Sequence, residues 1–124
     1  MFKKLLTACL ALAAAMSFAL EVKPYSATEL AADQKAGKSV AVHFHADWCP
    51  TCRAQAKVFE QLKADTALKN VTIYNVDYDG ETELKKALKV RGQSTLVVYK
   101  GSQEMARSAG ETSLDSLKQT LAKS

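Results

Sequence analysis

The apolar positions after residue 20 recur with two different periods, and where the period switches the chain changes element. Ser26-Ala27-Thr28-Glu29 has the layout of a capping box and predicts a helix ending near Gly37, with Leu30, Ala31 and Ala32 as a modest apolar face. Ser39 to His45 is a β-branched and aromatic run, the pattern of a strand buried on both faces. Pro50 stands where the next helix should open, a position proline tolerates, and Val58, Phe59 and Leu62 form its stripe. Val71 to Val76 predicts a second strand. Glu81 to Lys89 predicts a helix with Leu84, Ala87 and Leu88 on one side, its acids early and its lysines late. Thr95 to Tyr99 and Gln103 to Arg107 flank Lys100-Gly101-Ser102 as a hairpin, and Thr112 to Asp115 caps a last helix that should bury Leu114, Leu117 and Leu121. The order predicts an α/β domain in which strand, helix and strand form a right-handed parallel crossover.

The start of the chain reads differently. Met1-Phe2-Lys3-Lys4 is basic, Leu5 to Met16 is mostly apolar, and Ser17-Phe18-Ala19 supplies small residues, which predicts a signal peptide over 1–19 with cleavage after Ala19. The apolar run is shorter than the ~20 residues of a spanning helix, which weighs against an uncleaved anchor. Leu6-Thr7-Ala8-Cys9 resembles a lipidation site, but only Leu5 and Leu6 separate Lys4 from Thr7, too little apolar core for a lipoprotein modified at Cys9. The expected product is one domain over 20–124, in the periplasm or secreted.

Removing Lys3 and Lys4 lowers the formal charge from +4 to +2, and the remaining cations alternate with acids. That is an ordinary solvated surface, with no expectation of nucleic-acid binding. Of the three cysteines, Cys9 leaves with the leader, so Cys49 and Cys52 remain as a Cys-x-x-Cys pair. A bridge across two residues closes too small a loop to stabilise much, and suits a bond that opens and closes. Cys49 falls at the carboxyl end of a strand and the amino end of a helix, where unpaired N–H groups favour a thiolate. Cys49 is therefore the candidate nucleophile and Cys52 the resolving thiol. Trp48 offers either a flat contact surface for a partner or a packed aromatic.

Phe44-His45-Ala46-Asp47-Trp48-Cys49-Pro50-Thr51-Cys52-Arg53 resembles the active site of the thioredoxin family. The likeness continues through Asn75-Val76-Asp77, Val90 to Leu96, Lys100-Gly101 and Gly110, from about Ser26 to Leu121. Ala-Asp-Trp-Cys is most similar to secreted thioredoxin-like proteins and to the reducing domains of membrane electron-transport systems. The resemblance implies a thioredoxin fold, a mixed central sheet of about four strands flanked by helices on both faces, with Leu20 to Tyr25 open as a fifth. It also implies a thiol–disulfide oxidoreductase acting on protein thiols and disulfides, without cofactor or resident metal, and as a monomer. Trp48, Pro50, Thr51, Ser94 and Thr95 would then contact substrate. Size, without an inserted helical domain, leans toward a reductant fed by a membrane thiol transporter.

Three positions depart from the family pattern. Ser94 stands where the family has a cis-proline whose backbone pairs with substrate and which keeps metals off the thiols. A cis bond before serine costs about 2.5–4 kcal/mol, so a trans Gln93–Ser94 peptide and an altered groove are expected. His43 replaces a buried aspartate; it is a candidate for proton transfer at Cys52, or a neutral, hydrogen-bonded core histidine. Pro50-Thr51 replaces Gly-Pro between the cysteines. Two other readings compete: a zinc or cuprous site using Cys49, Cys52, His43 and His45, and a redox-inert binding module. Covalent haem is excluded because Arg53, not His, follows Cys52.

Overall fold

A computed structural model describes residues 19–124. Cys9 and the rest of residues 1–18, on which the expected signal peptide falls, lie outside the described residues, and among those described no helix is long and apolar enough to cross a membrane. Five strands and four α-helices follow one another as β1 Glu21–Pro24, α1 Ala27–Lys35, β2 Ser39–His45, α2 Pro50–Leu62, β3 Thr72–Asp77, α3 Thr82–Leu88, β4 Thr95–Lys100, β5 Gln103–Ala109 and α4 Leu114–Leu121. The sheet order is β1-β3-β2-β4-β5. β1, β3 and β2 run parallel, while β4 is antiparallel to both β2 and β5.

The fifth strand is thus present. β1 carries little apolar pattern, but Leu20 is buried in the core beside it and Pro24 closes it on the sheet edge, where a missing N–H costs no ladder bond. Strand alternation sorts the core into two layers. Val40, Val42 and Phe44 of β2 join Tyr74, Val76, Val97 and Leu30, with Leu84 and Leu88 of α3 partly buried against them. Ala41 faces the other way, with Ile73, Leu96, Val98, Phe59, Leu62, Leu117 and Leu121. Hence β2 is apolar on both faces, and His43, in register with Ala41, enters the α2 side.

The helix caps fall in the expected segments, at Ser26 for α1 and, one residue past Thr112, at Ser113 for α4. Ser26 accepts from the Glu29 N–H and Ser113 from the Ser116 N–H. Gly101, with φ 58°, turns β4 into β5, and a side chain there would press on the Gln34 carbonyl. Three expected core positions differ. Leu114 is 42% exposed. It shares the angular position of Leu117 and Leu121, so its exposure comes from standing at the open first residue of α4. Ala87 is exposed, and Val58 is only partly buried.

Candidate active site

The site forms where β2 ends, α2 begins and the loop before β4 returns. Cys49 is the N-cap of α2, with Pro50 following in the first turn, and the Cys52 N–H donates to the Cys49 Sγ over 3.2 Å. A sulfur thus takes the place usually held by a capping oxygen, which binds a helix-end donor to the reactive atom. Both cysteines are free thiols, buried against Ala46 with Tyr78 partly covering them. Burial pushes the Cys49 thiol up, but hydrogen bonds from Cys52, from Ser94 and from the Cys52 and Thr51 backbone outweigh it and hold it at about 7. Burial and the neighbouring Cys49 push the Cys52 thiol up, against smaller opposing effects of Ser94 and the Ala46 backbone. The two sulfurs therefore differ in the direction that an attacking and a resolving thiol require.

Ser94 lies against both. Its Oγ is 3.3 Å from the Cys49 Sγ and 3.0 Å from the Cys52 Sγ. No peptide among the described residues is cis, so Gln93–Ser94 is trans. The chain makes the turn by placing Ser94 at φ 64°. Its N–H donates to the Phe44 carbonyl over 2.9 Å, and its own carbonyl accepts from the Gly110 N–H and the Gln55 Nε2, each at 3.1 Å. The Ser94 backbone is fully engaged inside the protein. Thr95 is buried too, its hydroxyl donating to the Gly92 carbonyl.

The other substrate-facing candidates lie outside. Trp48 is 57% exposed and its Nε1 donates to Asp79 Oδ2 over 2.7 Å, which holds the ring beside Cys49. Pro50 is exposed and Thr51 partly so. Arg53 donates to the Asp47 carbonyl, bracing the turn.

His43 is buried, and its Nε2 is 2.7 Å from Gln55 Oε1. Burial, opposed by that hydrogen bond and assisted by His45, pushes it down to about 4, so the ring is neutral at neutral pH. Its recorded hydrogen bond goes to Gln55 and not to a sulfur. Gln55 was not among the sequence candidates. A polar residue at helical spacing between Cys52 and Phe59 was the available signal. His43 and His45 are neighbours, with ring centroids 5.6 Å apart, but His45 Nε2 pairs with Asp47. Among the described residues no group of three or more His, Cys, Asp or Glu is arranged to hold a metal.

A parallel βαβ crossover carrying a buried dithiol at its helix N-terminus defines a class of thiol–disulfide exchange proteins. The family model described as Thioredoxin matches residues 22–123, and the chain belongs to the thioredoxin family. It is 35% identical to a thioredoxin of Chlamydia trachomatis over 74% of this chain and 88% of that one. It is 36% identical to the protein disulfide-isomerase erp38 of Neurospora crassa over 98% of this chain, which spans 34% of that longer protein. Among solved structures it is similar to Trxlp of Edwardsiella tarda, with 36% identity, a TM-score of 0.77, and coverage of 82% of this chain and 98% of that one. The chain is a thioredoxin-like protein-disulfide oxidoreductase.

Proposed function

We propose that residues 1–19 are a cleaved leader and that residues 20–124 work outside the cytoplasm as a monomeric reductant of protein disulfides, recharged by a membrane thiol transporter. The observation that carries the redox roles is the placement of the two sulfurs: Cys49 caps α2, its Sγ accepting from the Cys52 N–H and held below the usual thiol range, while Cys52 lies buried in the first turn and is pushed up. The Cys49 thiolate attacks a substrate disulfide, forming a mixed disulfide and releasing one substrate thiolate, which takes up a proton. Cys52 then loses its proton and attacks the Cys49 sulfur. The Cys49–Cys52 bond forms as the second substrate thiol leaves. Two thiols of the protein are oxidised and one substrate disulfide is reduced; a thiol donor reverses the change. Trp48, Pro50 and Thr51 are the contact surface, while Ser94 and Thr95 shape the groove from inside. His43 holds the Gln55 amide, which in turn holds the Ser94 carbonyl, so the histidine positions the loop that faces the dithiol.

The test is insulin reduction by the wild type and two variants. Cys49→Ala should abolish turnover, and Cys52→Ala should accumulate mixed disulfides whose captured partners identify substrate and electron donor. Retained activity in Cys49→Ala would overturn the roles. Mass spectrometry of the exported protein should find an N-terminus at Leu20. A chain retained whole in the cytoplasm would remove the extracytoplasmic part of the reading.

A further inference from the structure

The Ser94 side chain has no solvent to serve and two reactive atoms to face. It is 3% exposed, and its Oγ is within hydrogen-bond distance of both sulfurs. A hydroxyl carries one hydrogen and two lone pairs, so it can donate to one sulfur while accepting from the other, but cannot donate to both. Its position is tightly determined. The backbone on both sides of Ser94 is bonded to Phe44, Gly110 and Gln55, and φ of 64° is a conformation that a residue with a Cβ adopts at a cost. Nothing about the turn itself calls for serine there; glycine would adopt the same backbone without strain. What serine adds is the hydroxyl, delivered between Cys49 and Cys52.

We propose that Ser94 is a catalytic residue whose hydroxyl donates to the Cys49 thiolate in the reduced protein and transfers that hydrogen bond to Cys52 once Cys49 is in mixed disulfide. The proposal rests on Cys49 being the nucleophile. In the resting dithiol the chain of bonds runs from the Cys52 S–H to Ser94 Oγ, and from the Ser94 O–H to the Cys49 sulfur. A buried thiolate depends on such donors, and the Cys52 N–H is another of them. When the Cys49 sulfur becomes bonded to substrate it loses its charge and with it its claim on the hydroxyl. The O–H then turns 3.0 Å away to Cys52 and stabilises the second thiolate as its proton leaves. Ser94 gives up no proton in the cycle. The Cys52 proton, together with one from solvent that replaces the proton Cys49 lost on ionising, ends on the two product thiols, and the electron pair released as the Cys49–Cys52 bond forms reduces the substrate disulfide.

The deciding variant is Ser94→Gly, which suits the backbone and deletes the hydroxyl; Ser94→Ala is the second, should glycine loosen the fold. Reduced wild type and variants are alkylated with iodoacetamide across pH 5 to about 9, a range bracketing a free thiol, with the modified cysteine identified by mass spectrometry. Loss of one charge-assisted hydrogen bond should move the Cys49 midpoint to higher pH and slow alkylation at pH 6 about tenfold. In single-turnover reaction with a protein disulfide, the mixed disulfide should persist about tenfold longer, for the same reason at Cys52. Ser94→Thr, which keeps the hydroxyl, should return the midpoint toward the wild type. A folded Ser94→Gly or Ser94→Ala protein with an unmoved midpoint overturns the proposal, even if its stability or turnover falls, because packing alone would produce that result. Preferential alkylation of Cys52 in the wild type would overturn the nucleophile assignment, and the Ser94 role with it.

Discussion

His43 Nε2 and Gln55 Oε1 lie 2.7 Å apart in the interior, and the same Gln55 amide donates from Nε2 to the carbonyls of Ser94 and Glu111. Because the amide nitrogen is committed to two acceptors, the oxygen must accept, and the histidine carries its proton on Nε2. One side chain thus joins β2, the loop before β4 and the segment before α4.

Acid should destabilise the protein through His43. Its folded value is pushed to about 4, below the ordinary 6.5, by burial. As pH falls below 6.5 the unfolded chain takes up the proton first, so the contribution is complete above 6.5 and is lost toward pH 4. The expected loss is about 3 kcal/mol. Urea unfolding at several pH values between 7 and 4.5 measures it, and His43→Phe should flatten the slope.

Gln55→Leu should cost about 2 kcal/mol in urea unfolding, because it leaves the buried His43 N–H without an acceptor while filling the same volume. A variant as stable as the wild type would mean that the interior rearranges around His43.

Restoring the family residue should harm this chain. In Ser94→Pro the ring requires φ near −65° where the chain holds 64°, and it deletes the N–H bonded to the Phe44 carbonyl. A loss of about 3 kcal/mol or more is expected by urea unfolding. Unchanged stability would show that the loop accommodates a second backbone path.

Trp48→Ala should reduce kcat/KM for insulin about tenfold, as loss of an exposed aromatic anchor does at protein interfaces, and change the rate with a small aromatic disulfide far less. Asp79→Ala, which frees the indole but leaves it present, should fall between the two. Equal losses on both substrates would place Trp48 in the support of Cys49 instead.

Much of this architecture is legible in the residues themselves. The run from Val40 to Phe44, interrupted only by His43, announces a strand with two buried faces, and Pro50 marks the start of α2 to the residue. β1 is faint because Glu21-Val22-Lys23-Pro24 is only four residues long with a single β-branched position, and its pairing depends on the distant edge of β3. The cysteine pair is visible from its spacing, but its hydrogen-bonded surroundings are not. Ser94 is 45 residues from Cys49, and Gln55 reads as a polar break in an apolar stripe until β2 and the loop before β4 pack against it. Periodicity reports which face a residue takes; it carries no information on which polar atoms meet there.

The closed backbone at Ser94 has a bearing on how clients are sorted. A substrate chain gains no ladder bonds at that residue, and Cys49 shows only 2% of its surface. Sequence preference then has little purchase. What should distinguish one client from another is how far its disulfide protrudes from its own fold, with exposed or locally frayed bridges reduced before well-shielded ones.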